Sequence, residues 1–194
     1  NLLFKHAKGE ILVLSDGDVF VGKSALKFIL APFSNPNVGI VSGRPISLNG
    51  RNNMLGYWSH LLTDLGAHAT RLERVKKDKM IVCSGYLYAF RKELVKTIPE
   101  NAFSEDALIS HLIYEMGYKT AYAPKAEVFV KYPSTFSDWI KQKKRSAGGY
   151  NQLKYFVKSK ERMRSFQKEA MNVLNVFRYP NSIREFAWTL ILIL

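Results

Sequence analysis

Cysteine is almost absent from this sequence, which contains only Cys83. A single cysteine excludes an internal disulfide bond, offers no cysteine framework for zinc and favours a reducing compartment. Internal repeats, low-complexity segments and a recognisable signal peptide are missing as well. These absences argue against a disulfide scaffold and a repeat architecture, and they favour a globular domain.

Acidic side chains are also scarce. The 16 Asp and Glu residues are outnumbered by 29 Lys and Arg residues, which gives a formal net charge of +13. Such an excess predicts an anionic partner: a nucleic acid, an anionic lipid or a phosphorylated substrate. Hydrophobic residues make up 47% of the 194 positions, which is enough for one sizeable core, so a single domain is expected.

Strand and helix patterns alternate along the chain, which predicts a mixed α/β layered fold. The apolar run Ile11–Ser15 is predicted to be a fully buried parallel strand. Further strands are predicted over residues 38–41, 80–83, 86–90, 119–122 and 127–130. Helices are predicted over residues 24–31, 53–75 and 105–116, and from residue 135 onward.

Asp16-Gly17-Asp18 directly follows the first predicted strand. Both carboxylates point to one side of an extended segment, at a strand end where open α/β sheets bind ligands. Paired carboxylates suit Mg²⁺ or Mn²⁺, which would bridge to substrate phosphates. An Asp-Gly turn leading into the helix near Ser24 explains the same residues without any ligand.

Two further polar clusters follow. Ser104-Glu105-Asp106 opens the predicted helix 105–116, where Ser is a plausible cap and acids are favoured by the helix dipole. A carboxylate held there could also act as a general base toward an attacking hydroxyl. The cluster Gln142-Lys143-Lys144-Arg145 fits a solvated helical face, a membrane-surface patch or a site that stabilises an anionic leaving group.

Taken in order, D-x-D after an apolar strand, E-D and Q-x-x-R resemble the motifs of the family 2 inverting glycosyltransferases, which include cellulose, chitin and hyaluronan synthases. The segments Lys8-Gly9-Glu10, Val82-Cys83-Ser84-Gly85 and Gly117-Tyr118-Lys119 are similar to this family as well. The resemblance covers about residues 1–150. It implies a GT-A fold, a Rossmann-like mixed sheet flanked by helices that binds a nucleotide sugar.

For the donor, the resemblance implies that Asp16 and Asp18 hold a divalent cation, Mg²⁺ or Mn²⁺. Together with Gln142 and Arg145 they would bind the diphosphate of a UDP- or GDP-sugar. The family also has an N-terminal strand and helix that contact the nucleotide base, and this chain is expected to lack that segment.

For the acceptor, the resemblance implies that Asp106 is the catalytic base, with Glu105 as its neighbour. Cys83, Ser84 and Gly85 would line the acceptor site, and the acceptor would be a polysaccharide or a lipid-linked glycan. The family's membrane polymerases usually follow Q-x-x-R with Trp, whereas this sequence has Ser146.

The C-terminal part of the chain suggests a membrane. Between residues 141 and 168 there are ten Lys or Arg and one acid, Glu161, interleaved with apolar residues. This pattern predicts a basic amphipathic segment, residues 151–180, on an anionic membrane surface. Residues 181–194 end in an uncharged aliphatic run that is shorter than the roughly 20 residues of a spanning helix. They are predicted to begin a transmembrane helix, with a buried helix or strand as the alternative.

These predictions define a partial GT-A catalytic domain over residues 1–150, at the cytoplasmic face of a membrane, with no nucleic-acid partner expected. Two alternatives use the same residues differently. A haloacid dehalogenase-type phosphatase also has an aspartate pair after an apolar strand, but this chain has Phe20 where that family has Thr or Val. A non-enzymatic module would use the basic segment to bind a membrane or a nucleic acid.

Overall fold

The computed structural model describes residues 1–158 and 173–193. Five strands form one sheet: β1 Ile11–Ser15, β2 Val19–Val21, β3 Val38–Ser47, β4 Leu87–Arg91 and β5 Lys119–Val130. In the part of the chain that is described, eight α-helices surround it: α1 Leu2–His6, α2 Ala25–Leu30, α3 Met54–Leu61, α4 Thr70–Lys76, α5 Glu105–Glu115, α6 Phe136–Phe156, α7 Val173–Arg178 and α8 Ile183–Ile193. The mixed α/β fold class is therefore confirmed.

The strand order within the described residues is β1-β4-β3-β5-β2. Only β3 and β5 run parallel, and the other neighbouring pairs are antiparallel. The prediction that Ile11–Ser15 is a fully buried parallel strand is wrong, because β1 pairs antiparallel with β4 at one edge of this sheet. Leu12 is buried, whereas Val13, which points to the other face, is 39% exposed. An apolar run reports the propensity for a strand, and the pairing partner decides its direction and burial.

The predicted strand over residues 80–83 is also wrong. This segment is buried but belongs to no strand. Side-chain hydroxyls make the hydrogen bonds to its backbone amides that a neighbouring strand would otherwise have made. Thr120 accepts a hydrogen bond from the Ile81 amide at 2.8 Å, and Ser110 accepts one from the Cys83 amide at 3.0 Å. Because buried amides need partners, these hydroxyls fix the path of the chain toward Gly85.

Two helices cover the two faces of the sheet. On one face, Ile109 and Ile113 of α5 pack against Ile40 and Phe90. On the other face, Ile29 of α2 packs in a cluster of small and branched strand residues that are all buried, among them Val41, Ala89 and Val128. The helix predicted over residues 53–75 is present as α3 and α4, joined without a break by a π-helical segment, Leu62–Ala69.

At the C-terminus, α8 packs on α3. Thr189 shares a 2.6 Å hydrogen bond with the Tyr57 hydroxyl, and the Trp58 indole donates to the Trp188 carbonyl at 2.7 Å. Across residues 1–158 and 173–193, no helix combines the length and apolarity needed to cross a bilayer. The start of a transmembrane helix over residues 181–194 stays a prediction. The central part of the predicted basic segment, residues 159–172, lies outside the described residues, and so does residue 194.

Candidate active site

Nearly all of the predicted site residues line one cleft of about 400 Å³. Its wall includes Asp16, Glu105, Asp106, Gln142, Arg145 and the turn of Cys83, Ser84 and Gly85. Asp18 is the one predicted site residue that does not line it. A larger cavity of about 890 Å³, beside α1 and residues 91–97, contains none of these residues. The fold therefore brings together groups that are far apart in the sequence.

Asp106 lies in the first turn of α5, and two backbone amides hold its carboxylate. Oδ1 accepts a hydrogen bond from the Ala107 amide and Oδ2 accepts one from the Gly85 amide, both at 2.8 Å. Ser104, the residue predicted to cap this helix, makes no side-chain capping bond. Asp106 thus ties the start of α5 to the turn at Gly85, which orients its carboxylate at the cleft.

Burial raises the pKa of Asp106 above its ordinary value, and the negative charge of Glu105 raises it further. The amides of Ala107 and Gly85 and the positive charge of Arg71 act in the opposite direction, but the net shift is upward. A carboxylate with a raised pKa is a stronger base than an ordinary aspartate. This electrostatic environment suits proton abstraction from a hydroxyl near neutral pH.

Asp16 carries the second concentration of negative charge in the cleft. Burial raises its pKa, the charges of Asp18 and Glu105 add to that rise, and Arg145 opposes it. The negative charges of Asp18, on the loop after β1, and of Glu105, at the start of α5, therefore disfavour the ionised form of Asp16. A cation bound at Asp16 would offset those charges.

The donor set of Asp16 and Asp18 fits a hard divalent cation. Within the described residues there is no group of three or more His, Cys, Asp or Glu residues arranged to hold a metal. Mg²⁺ and Mn²⁺ need no such cage, because one or two carboxylates, substrate phosphates and water complete their coordination. The residues present are thus compatible with a metal whose binding depends on a phosphate-bearing substrate.

Helix α6 supplies the polar residues on another side of the cleft. The helix starts at a Thr135 cap, whose hydroxyl accepts a hydrogen bond from the Asp138 amide at 3.2 Å. Two turns further along, Gln142 reaches the Tyr86 hydroxyl at 3.4 Å. Arg145 lines the cleft and is solvent-exposed, so its guanidinium is available to an anionic ligand.

Cys83 lines the cleft but is almost completely buried. Burial raises the pKa of its thiol to about 12, so the thiol stays protonated at physiological pH. The thiolate is the reactive form of cysteine, and Cys83 is therefore a packing residue of the predicted acceptor wall rather than a nucleophile.

Several cleft residues escaped the sequence-based prediction. They are Ser59, Leu62, Thr63, Ala67, Arg71, Tyr86, Tyr132, Trp139 and Tyr150, among others. Tyr86 could have been found from its position next to Gly85. Nothing in the local sequence separates Arg71 from the other cations of its helix, because the contribution of α3, the π-helical segment and α4 to the cleft depends on tertiary packing.

Close approach of α6 to the start of α5 makes Gly149 sensitive to substitution. A Cβ atom at Gly149 would lie 2.0 Å from the Ser104 Oγ, whereas a Cβ at Gly148 would meet nothing within 4 Å. Gly148→Ala should stabilise the protein by about 1 kcal/mol through helix propensity. Gly149→Ala should destabilise it by about 1–3 kcal/mol, because the helices must separate. Urea denaturation measures both variants, and equal stabilisation by the two would contradict this packing.

Comparison with known proteins points to one family. Residues 1–149 match the sequence profile described as glycosyltransferase like family 2. The probable glycosyltransferase YdaM of Bacillus subtilis (strain 168) is 23% identical over 160 residues, covering 79% of this chain and 38% of that protein. Hyaluronan synthase of Streptococcus pyogenes is 20% identical over 153 residues, covering 73% and 36% respectively. The chain thus spans less than two fifths of the length of these relatives.

Among solved structures, the mannosyltransferase PcManGT from Pyrobaculum calidifontis, in complex with GDP-Man and Mn²⁺, aligns with a TM-score of 0.61. The alignment covers 96% of this chain and 55% of that chain, at 18% identity. This likeness confirms the predicted GT-A fold. Because the profile match extends over well more than half of its length, the chain belongs to glycosyltransferase family 2.

Proposed function

We propose that the protein containing this chain is a metal-dependent inverting glycosyltransferase. It would transfer a sugar from a UDP- or GDP-sugar to a hydroxyl of a polysaccharide or a lipid-linked glycan. The observation that carries this proposal is the Asp106 carboxylate, held by the Gly85 amide on the same cleft as Asp16 and Arg145. A candidate base, an acidic side chain that could bind a metal and an exposed cation on one cleft are groups that this reaction needs.

The donor half of the cleft is the part around Asp16, Gln142 and Arg145. A divalent cation bound by Asp16 and Asp18 would neutralise charge on the diphosphate as it departs. Arg145 would contact the same diphosphate. Its nearness to Asp16 is supported by its positive charge, which opposes the rise in the pKa of Asp16 caused by burial and the neighbouring acids. Gln142, which contacts the Tyr86 hydroxyl, would hold the leaving group in place.

The acceptor half is the part around Asp106 and the turn of Cys83, Ser84 and Gly85. The acceptor oxygen would form a bond to the anomeric carbon while the bond from that carbon to the diphosphate oxygen breaks. The hydroxyl proton passes to Asp106, and the electron pair of the broken bond leaves with the nucleoside diphosphate. A single in-line displacement inverts the anomeric configuration.

A membrane location, with the catalytic domain on the cytoplasmic side, completes the proposal. Its support is the amphipathic character of α8, which buries Glu185 and Thr189 against the domain. The same helix leaves apolar side chains exposed: Ile183, Phe186, Leu190, Ile191 and Ile193. An exposed apolar helix face next to a strongly basic chain suits an anionic membrane surface.

The proposed reaction predicts metal-dependent release of a nucleoside diphosphate. The complete protein, purified in detergent, should release UDP or GDP from a panel of nucleotide sugars when Mn²⁺ is present, and EDTA should abolish the release. Nucleotide release is measured by a coupled assay, with each sugar 1-phosphate as the matched control. Turnover that is equal in Mn²⁺ and EDTA would contradict metal dependence. Salt-sensitive RNA binding without any turnover would contradict the enzyme and favour a binding module.

A further inference from the structure

Arg71 is a buried cation on the wall of the cleft. It lies in α4, is 7% exposed and lines the cleft on the side of the Cys83 to Gly85 turn. Its Nε donates to the Val82 carbonyl at 3.0 Å, which is the only hydrogen bond of its side chain within the described part of the chain. Arg71 therefore anchors the residue that immediately precedes the predicted acceptor turn.

Within the described residues, no carboxylate forms a direct ion pair with Arg71. Its Nη1 is buried and has no hydrogen-bond partner, and no carboxylate in residues 1–158 and 173–193 lies within 4 Å of its guanidinium. By contrast, Arg51 at the surface forms a two-pronged pair with Glu185 at 3.2 and 2.9 Å. Buried guanidinium groups are normally paired with an anion, because an unpaired buried charge is costly. The Nη1 group of Arg71 is therefore free to donate a hydrogen bond to an anion that enters the cleft.

The surroundings of Arg71 place that missing anion in the acceptor half of the cleft. Burial raises the pKa of Asp106, Cys83, Tyr122 and Tyr132, and the positive charge of Arg71 opposes the rise in each case. The charge of Arg71 acts on Asp106, but the two oxygens of this carboxylate already accept hydrogen bonds from amides. The donor carboxylates and Arg145 belong to other elements, the loop after β1 and α6. An anion reaching Arg71 therefore enters beside the catalytic base.

We propose that Arg71 binds an oxyanion, a phosphate or a carboxylate, carried by the acceptor close to its attacking hydroxyl. This inference rests on the proposed function and adds the chemical class of the acceptor. A planar guanidinium matches the oxygens of either group and binds them through charge-assisted hydrogen bonds. Acceptors without such a group leave the buried charge unpaired and are bound more weakly, so Arg71 also determines specificity.

The test compares two arginines of the same helix in the complete protein. Arg74 donates its Nε to the Met80 carbonyl at 2.6 Å, much as Arg71 bonds Val82, but Arg74 does not line the cleft. Binding of glycerol 3-phosphate, glycerate and uncharged glycerol is measured by calorimetry in EDTA, which removes metal-dependent binding at the donor site. Arg71→Gln should weaken binding of the two anions about tenfold or more, whereas Arg74→Gln should leave it unchanged. Glycerol should show no difference.

Farnesyl phosphate in detergent, with farnesol as its control, distinguishes a lipid-linked from a soluble anion. Arg71-dependent binding of farnesyl phosphate alone assigns the oxyanion to a lipid, and Arg71-dependent binding of the small anions assigns it to a soluble group. If Arg71→Gln does not fold, the same binding measurement is made with Arg71→Lys. Lysine keeps the charge but cannot make a two-pronged contact, so this variant should weaken anion binding about threefold or more. Equal losses in the Arg71 and Arg74 variants, or no loss in either, overturn the proposal.

The outcome is separable from that of the proposed function. Hydrolysis of the nucleotide sugar, in which water takes the place of the acceptor hydroxyl at the anomeric carbon, releases the nucleoside diphosphate without an acceptor anion and reports the donor reaction alone. If the protein binds anions through Arg71 but turns over no nucleotide sugar, the anion site is supported and the proposed glycosyltransferase activity is contradicted. If the protein turns over a nucleotide sugar but its anion binding does not depend on Arg71, the proposed activity is supported and the anion site is contradicted.

Discussion

Asp106→Asn should reduce sugar transfer by the complete protein by about 10²–10⁴-fold, the range that a general base contributes. Asparagine has the same size and keeps one oxygen that can accept the hydrogen bond from the Gly85 amide, so the tie between α5 and the turn at Gly85 should be preserved, while the bond from the Ala107 amide is lost. It cannot accept the acceptor's proton. Binding of the nucleotide sugar should change little, because the donor groups lie on Asp16, Asp18 and α6. The effect should therefore appear in kcat rather than in the donor KM.

Glu105→Gln is the matched control for Asp106→Asn. Glu105 lines the same cleft and is solvent-exposed, and its charge contributes to the raised pKa of Asp106 after burial. We expect this variant to retain most of the activity.

In the parent, kcat/KM should fall as the pH drops through the pKa of Asp106, because the base must be ionised, and that pKa lies above its ordinary value of 3.8. Equal turnover by Asp106→Asn and the parent would rule out Asp106 as the base.

Asp18→Asn and Asp16→Asn should weaken Mn²⁺-dependent binding of the nucleotide sugar about tenfold or more. Each change removes one of the two carboxylates that would hold the cation, while mutual repulsion in the absence of metal is relieved. Calorimetry with and without Mn²⁺ measures the effect, and the variants should differ from the parent only when the metal is present.

Asp78→Asn provides the control for the donor site. Asp78 pairs with Lys119 at the surface and has a φ of 50°, a conformation that asparagine adopts readily. Its removal should leave nucleotide-sugar affinity unchanged. Donor affinity in Mn²⁺ that is unaltered by both Asp16→Asn and Asp18→Asn would refute the assignment of the metal ligands.

Much of the site was predictable because it depends on local sequence. An acidic pair after an apolar run, an acid in the first turn of a helix and a polar cluster on a capped helix are all visible without tertiary information. Their order along the chain indicated the family, and the family indicated that Asp16, Asp106 and Arg145 would share a cleft. The structure adds the hydrogen bond from the Gly85 amide, which orients the carboxylate of Asp106, the proposed base.

The errors have a common physical cause. The direction of Ile11–Ser15 and the conformation of residues 80–83 depend on partners far away in the sequence, which apolar patterning does not identify. Arg71 and Arg74 look equivalent in the sequence, and only the packing of α4 shows that one lines the cleft. The docking of α8 on α3 through Tyr57 and Thr189 was likewise not predictable from an aliphatic terminal run.

The hydroxyl-bonded segment 80–85 has an evolutionary consequence. Ser42, Ser110 and Thr120, on β3, α5 and β5, hold amides of this segment, and no strand of the described sheet runs through it. Substitutions there would reshape the proposed acceptor wall without shifting the register of any strand. The proposed acceptor half of the cleft can therefore vary through a few side chains of a single short segment, while the sheet beneath it and the donor half stay unchanged.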